Sequence, residues 1–214
     1  RGGGRRPARH PRRRLAGPRG ARGAGGAGPR GTRPDDREER GARARRREIL
    51  ELPGRLDSVS ACLEAAERLV AAAGAEATQA TADVDAKEMA ALQESLGMGT
   101  RGVRIRSAQA AVKDLEDQQK LRVKRIQRDA LDRVLTELTG FYRDVLAAQT
   151  APGVELVNAD LASEIEPLAR RSTPEQTVHA LDAILRARTA LEGNVAPLLA
   201  LEALLIDLQF ARRA

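Results

Sequence analysis

The chain has few of the residue types on which most catalytic, metal and redox sites depend. Its 214 residues include one cysteine, two histidines and no tryptophan. The single thiol, Cys62, excludes an intramolecular disulfide and a zinc site built on several cysteines, and its apolar helical position is typical of a small core residue. Because His10 and His179 are the only histidines, no serine or cysteine has a plausible general base. The sequence predicts no enzyme by itself, no cofactor and no metal site.

Aromatic side chains and long apolar runs are scarce as well. Aromatic residues make up 1% of the chain and hydrophobic residues 42%, so the core has to be built from Leu, Ala, Val and Ile. A composition rich in Ala, Leu, Glu and Arg favours helices. No run of about 18 uncharged apolar residues predicts a membrane span. We therefore expect an all-α helical bundle, and the presence of a single cysteine fits a reducing, cytoplasmic location.

Acidic residues are scarce at the N-terminus, so the charge is unevenly distributed. Residues 1–47 hold 17 Arg and 4 acidic residues, which leaves 20 basic and 26 acidic residues for the rest of the chain. The net charge of +7 therefore hides a mildly acidic part that follows a strongly basic one. Binding of nucleic acid inferred from net charge alone would depend on the N-terminal region.

Residues 1–34 consist mainly of Arg, Gly, Ala and Pro, which predicts a disordered tail ahead of an all-α domain at 35–214. Three interpretations stay open: sequence that is artefactual or truncated, a solvated tail, and a tail that binds RNA or DNA. The tail has no lysine and no aromatic residue to stack on bases, which weighs against the third. The segment 26–32 lacks the lysine and the preceding strand of a phosphate-binding loop.

Helical periodicity is clearest from Gln119 to Leu146. Its apolar residues recur at intervals of three and four, which places them on one face of a helix. These residues are Leu131, Val134, Leu135, Leu138, Phe141, Tyr142 and Val145. Charged residues occupy the opposite face, so this segment predicts the amphipathic helix on which the rest of the chain packs.

Two helices are predicted ahead of it. The first spans Arg43 to Leu52 and ends before Pro53, and the second begins at Asp57 or Ser58. The apolar face predicted for the second helix comprises Val59, Leu63, Ala66, Leu69, Val70 and Ala73. A glycine at position 74 is expected to end or bend this second helix.

Residues 75–118 predict an antiparallel helical hairpin that projects from the domain. Both of its halves carry a narrow apolar stripe, and three glycines between 97 and 102 mark the turn. A partly disordered insertion is the alternative.

Three helices are predicted after the central one. Asn158 or Asp160 begins the first of them, and Thr173 to Gln176 forms a capping box with proline at the first helical position. Asn194 is expected to cap the last helix, Val195 to Leu208, whose leucines form one stripe.

Several segments, taken together in chain order, resemble the C-terminal part of the δ′ subunit of actinobacterial DNA polymerase III, a component of the bacterial sliding-clamp loader. The segments are Arg46–Pro53, Gln119–Lys120, Arg128–Arg133, Phe141–Leu146, Glu155–Asn158 and Asn194–Glu202. The resemblance covers Arg46 to about Leu208. The family's N-terminal AAA+ features, namely its phosphate-loop region, zinc-binding cysteines and Ser-Arg-Cys motif, are not found in this sequence.

The resemblance implies a helical collar domain through which five subunits assemble into the loader. The implied partners are the γ/τ and δ subunits, with DNA and the sliding clamp contacted only indirectly, and the family's δ′ subunit does not itself hydrolyse ATP. Candidate interface residues are Asn194, Pro197, Leu198, Leu201, Glu202 and Leu205. Residues that match the family's motifs and are expected to be structural are Arg128, Asp129, Phe141, Tyr142, Arg143 and Asn158.

Two other functions remain open from the sequence. A free-standing helical coiled-coil protein would self-associate without clamp-loader partners. A nucleic-acid-binding protein acting through the Arg-rich tail would bind with an affinity that falls steeply with salt and is lost without residues 1–47.

Overall fold

The computed structural model describes residues 34–96, 105–151 and 153–213, without the side chains of 34–40, 42, 43, 105, 106 and 211–213. The described helices are α1 (Pro34–Arg55), α2 (Val59–Ser95), α3 (Ile105–Thr150), a 3-10 turn (Ala159–Leu161), α4 (Ala162–Arg171), α5 (Pro174–Glu192) and α6 (Pro197–Arg213). These described ranges contain no strand, which confirms the all-α prediction. The tail before position 34 and the glycine-rich turn at 97–102 lie outside them.

Four helices, α2, α3, α5 and α6, form a closed bundle. In it α2 packs on α3, α3 on α5, α5 on α6 and α6 on α2, so α3 and α6 lie at diagonal corners. Gln149 and Asp132 of α3 bond to Thr177 and Arg188 of α5 respectively, an order that makes the two helices antiparallel. The helices α1 and α4 pack against α3.

The apolar stripe of α3 forms the centre of the core, as predicted. All of its members are buried except the half-buried Val134. The rings of Phe141 and Tyr142 meet edge to face, with centroids 5.6 Å apart and planes at 88°. This arrangement stabilises the pair beyond the contribution of its buried surface. On α2 the buried positions are mainly alanines and Cys62, so the neighbouring helices approach closely.

The prediction that the first helix ends before Pro53 is wrong. The helix α1 runs on to Arg55, with Pro53 inside its last turn. Proline cannot donate the backbone hydrogen bond that a helix interior needs. Leu52, Pro53 and Leu56 are all buried, and this burial offsets the lost bond.

Gly74 does not end α2, which continues to Ser95. Its role is spatial, because a Cβ at this position would lie 3.2 Å from Nε2 of Gln127 on α3. That same nitrogen donates a hydrogen bond of 3.2 Å to the carbonyl of Val70. The glycine therefore makes room for a side chain that links α2 to α3.

Asn194 caps the end of α5, and the prediction that it caps the start of the last helix is wrong. Its φ of 61° is left-handed, a conformation that Asn tolerates better than most residues. The amide of Asn194 donates to the carbonyl of Leu191 (3.3 Å), and that of Val195 to the carbonyl of Ala190 (3.0 Å). These two bonds form a Schellman motif. The last helix begins later, at Pro197.

The start signals of two other helices are confirmed. The hydroxyl of Ser58 accepts a hydrogen bond of 3.1 Å from the amide of Ala61 at the start of α2. At the start of α5, Thr173 and Gln176 form the predicted capping box. Both caps satisfy backbone amides that have no partner within the helix.

Residues 82–96 and 107–121, called the arm below, extend α2 and α3 beyond the bundle. Within these two ranges only Ala108 is buried. Polar contacts join the two helices at the base of the arm, where Arg122 binds Asp85 (2.7 Å) and Glu88 (2.9 Å). The hydrogen bond from Arg122 lowers the pKa of Glu88 against a smaller opposing effect of desolvation.

Candidate subunit interface

The helix α6 is apolar on two faces. Its inner face, which belongs to the core, comprises Leu201, Leu204, Leu205 and Leu208. A second set of apolar side chains lies on the opposite side of the helix, at intervals of three and four residues, and one of them, Ile206, is half-buried against the core. This set, called the outer α6 stripe, comprises Val195, just before the helix, and Leu199, Ala203, Ile206 and Phe210. Leu199 is 60% exposed and Phe210 is 57% exposed.

Two apolar side chains of α2 lie along the same edge of the bundle. The thiol of Cys62 donates a hydrogen bond of 3.3 Å to the carbonyl of Leu205, which sets the register between the antiparallel helices α2 and α6. Val59 and Leu63 flank Cys62 on α2 and are both exposed. They were predicted to lie on the buried face of this helix, which is instead formed mainly by smaller residues. Together with the outer α6 stripe they widen the apolar surface.

The six predicted interface residues do not share one environment. Asn194 is exposed, and Pro197, Leu198 and Glu202 are half-buried. Leu201 and Leu205 are buried in the core of this chain and do not belong to its accessible surface. A role for the four accessible residues in a subunit contact stays a prediction.

Three large members of the outer α6 stripe, Leu199, Ile206 and Phe210, were not among the predicted interface residues. The sequence does indicate a second apolar face, because from 197 to 210 the polar residues are only Glu202, Asp207 and Gln209. A helix that is apolar all round has to be covered on all sides. A four-helix bundle covers the inner side of α6 and leaves its outer side open.

The residues that match the family's motifs separate into surface and core. Arg128 and Asp129 are exposed on α3, whereas Phe141 and Tyr142 are buried. Arg143 belongs to a polar cluster around the buried carboxylate of Asp144, described next. Phe141 and Tyr142 therefore belong to the core of the domain.

Asp144 is fully buried and accepts hydrogen bonds from several donors. The backbone amide and the side-chain amide of Asn158 donate to it at 2.7 and 2.8 Å. Arg143 forms an ion pair of 2.7 Å with it, and the amide of Val157 donates at 3.3 Å. Burial by itself raises the pKa of Asp144, but these hydrogen bonds together outweigh burial and hold the pKa below its usual value. The carboxylate thus fixes the chain ahead of α4 onto α3.

Arg46 extends this cluster to α1. Its guanidinium lies 2.8 Å from the carboxylate of Glu137 and 3.2 Å from that of Asp160, and it also donates to the side chain of Asn158. The side chain of Asn158 is therefore occupied by Arg46 and Asp144, and it makes no cap for the 3-10 turn. The cluster brings together three of the segments that carry the resemblance.

The described residues contain no group of three or more His, Cys, Asp or Glu side chains that could hold a metal ion. A groove of about 520 Å³ lies between α1, α2 and α3, with Ile49, Leu69 and Val134 in its apolar lining. No described helix has the length and apolar character needed to cross a membrane.

A segment that contains most of α3, all of α5 and most of α6 has a recognisable relative. Residues 110–209 match the family model described as DNA polymerase III, delta subunit, C terminal. The matched range begins in the arm and includes α4, α5 and α6 as far as Gln209. It therefore contains the whole inner face of α6 and all of the outer α6 stripe except Phe210. The matched residues, slightly fewer than half of the chain, are similar to the C-terminal part of a DNA polymerase III subunit. No curated protein and no solved structure matches the chain.

Proposed function

We propose that this chain is an assembly part of a bacterial DNA polymerase III clamp loader, which holds the loader together while the sliding clamp is placed on DNA. The match over residues 110–209 supports a role in clamp loading. In this proposal the chain works by binding other subunits and is not itself an enzyme. The cytoplasm, where replication takes place in bacteria, is the corresponding location.

The observation that carries the proposal is the outer α6 stripe, which lies largely within the matched segment. A contiguous row of apolar side chains on a helix surface favours packing against another helix. Leu199 and Phe210 provide large side chains, while Ala203 between them permits a close approach. Val59 and Leu63 of α2 extend the contact surface beyond one helix.

The finer assignment within the loader is also part of the proposal. The motif resemblance favours a δ′ subunit, whereas the matched family model carries the name of the δ subunit. We propose the δ′ assignment, with γ/τ and δ subunits as neighbours in a hetero-pentamer. Co-purification of the chain with separately tagged subunits, with each of them left out in turn, tests which ones it contacts.

Charge placed on the outer α6 stripe is expected to abolish assembly. The experiment mixes the full chain with the clamp-loader subunits of the same organism and measures complex mass by size-exclusion chromatography with light scattering. Leu199→Glu should remove the complex and leave the circular dichroism spectrum unchanged, because Leu199 is 60% exposed. Leu185→Glu on α5 is the matched control, because Leu185 is 62% exposed and should tolerate the change.

Other results would favour the competing functions. A wild-type chain that self-associates and ignores the loader subunits would indicate a free-standing helical scaffold. If the Leu199→Glu variant assembled as well as the wild type, the outer α6 stripe would not be part of the subunit contact.

A further inference from the structure

A nine-residue segment of α3, Lys120 to Arg128, carries five basic residues and no acidic one. Residues 48–214 as a whole contain 20 basic and 26 acidic residues, so this segment is a local reversal of charge. It lies at the base of the arm, next to the turn between α5 and α6.

Four of the five cations share one exposed face. Lys120, Lys124, Arg125 and Arg128 are all exposed, and they are called the basic α3 face below. The fifth cation, Arg122, points to α2, where it binds Asp85 and Glu88. The half-buried positions of the segment are Arg122, Val123, Ile126 and Gln127. The helix therefore presents its cations to solvent and its apolar side to the bundle.

The neighbouring acidic groups do not neutralise this face. Lys120 forms an ion pair of 3.1 Å with Asp117. Among the described residues, Lys124, Arg125 and Arg128 have no such pair. One turn beyond Arg128, Asp132 is bound to Arg188 at 2.8 Å.

Two acidic side chains remain near the C-terminal end of the basic α3 face. Asp129 follows Arg128 on α3, but adjacent helical residues point in directions about 100° apart. Glu192 ends α5 and forms no ion pair with the described residues. Within the described part of the chain, the face therefore keeps three cations, Lys124, Arg125 and Arg128, that form no ion pair.

We infer that the basic α3 face binds the phosphate backbone of duplex nucleic acid without sequence preference. Lys120, Lys124 and Arg128 follow one another at i, i+4 spacing, which gives a row of cations about 6 Å apart along the helix axis. A row of this kind neutralises successive phosphates and releases their counterions.

The composition of the face favours duplex nucleic acid over two other ligands. Binding of single strands relies on aromatic side chains that stack on bases, and the face has none. The fully buried core of a protein–protein contact is largely apolar, whereas Leu121 is the only large apolar side chain exposed here. Phosphates require only the cations themselves.

This inference is independent of the proposed assembly function. The basic α3 face and the outer α6 stripe lie on helices at diagonal corners of the bundle, so one surface can be occupied while the other stays open. A variant that loses duplex binding should therefore still enter the loader complex.

The test measures binding of the full chain to a fluorescent mixed-sequence DNA duplex, by anisotropy at a series of salt concentrations. Replacing all four cations, in the variant K120Q/K124Q/R125Q/R128Q, should weaken binding. It should also reduce the slope of log K against log salt by about 3 to 4, because each phosphate contact contributes about 0.9. The control R55Q/R68Q/R170Q/R171Q removes the same charge from exposed sites elsewhere and should change the slope far less.

Further variants and ligands make the result decisive. The exchanged variant K120R/K124R/R125K/R128K should bind as the wild type does, and circular dichroism should show that every variant folds. Equal slope changes in the two glutamine variants, or no binding of duplex by the wild type, would overturn the inference. Poly-glutamate that competes as well as DNA would identify an acidic protein as the ligand and would also overturn it. If K120Q/K124Q/R125Q/R128Q still enters the loader complex, its effect on duplex binding is separate from any failure of the proposed assembly function.

Discussion

Asp144 is the residue on which the connection between α3 and α4 depends. A buried charge is costly unless donors surround it, and here Asn158, Val157 and Arg143 provide them. The carboxylate binds the backbone at 157 and 158, so it fixes the path of the chain as well as one side chain. Its position in the sequence, next to the predicted core residue Val145, gives no hint of this role.

Replacing Asp144 with Asn should destabilise the protein by about 3 kcal/mol, the usual cost of breaking a buried charged network. An asparagine has one acceptor oxygen in place of two, and its amino group would face the donors of Asn158. Urea unfolding measures the loss of free energy. The exposed Asp129 is the matched control, and Asp129→Asn should change stability by less than about 0.5 kcal/mol. Similar values for the two variants would contradict the role given to Asp144.

The lowered pKa of Asp144 predicts how stability depends on pH. A carboxyl whose pKa is lower in the folded than in the unfolded state stabilises the fold above the unfolded value of about 3.9. This contribution is lost as pH falls through the folded pKa. The stability difference between the wild type and Asp144→Asn should therefore narrow below about pH 4. Urea unfolding of both proteins from pH 6 downward tests this, and a constant difference would count against it.

At the scale of elements, local signals identified the starts of α2 and α5. Thr173 and Gln176 satisfy each other's backbone groups, so their capping box needs no tertiary contact to form. Asn194 was ambiguous, because the same residue type suits the start of one helix and the left-handed end of another. Pro53 and Gly74 are residue types that commonly end helices, yet α1 and α2 continue through them.

The packing of α2 on α3 at Gly74 leads to a prediction about coupled substitutions. Alanine favours a helix over glycine by about 1 kcal/mol, but in the wild type its Cβ would press on Gln127. In a Gln127→Ala background, Gly74→Ala should therefore stabilise the protein by about 1 kcal/mol. In the wild type it should stabilise less or destabilise. A double-mutant cycle from urea unfolding measures the coupling, and equal effects in both backgrounds would refute the spatial role of the glycine.

For the whole molecule, the sequence predicted the all-α class and the central helix but not the division of α6 into two faces. Periodicity shows which residues share a side of a helix. It does not show which side meets the core when both are apolar, as around Leu199 and Leu201. That choice depends on the positions of α2 and α5, which approach α6 from opposite flanks. Leu201 and Leu205 are buried in the core and are therefore not accessible to another subunit, whereas Leu199 and Phe210 of the outer α6 stripe are exposed.

The bundle should not depend on the arm for its stability. Replacing residues 91–114 with a short glycine-containing turn removes only Ala108 from the buried residues of the arm. It retains Arg122 with Asp85 and Glu88. The thermal midpoint should stay within about 4 °C of the wild type, a shift that corresponds to roughly 1 kcal/mol for a protein of this size. Calorimetry tests this, with loss of a cooperative transition as the contrary result.

The unbroken course of α2 and α3 has a mechanical consequence. Neither helix is interrupted where the arm meets the bundle, and Arg122 holds them together at that point. The described part of the arm, 15 residues in each of its two ranges, is thus continuous with the bundle and about 22 Å long at 1.5 Å per residue. A force on its tip would reach the bundle as torque along α3, whose opposite end contains Phe141, Tyr142 and Asp144.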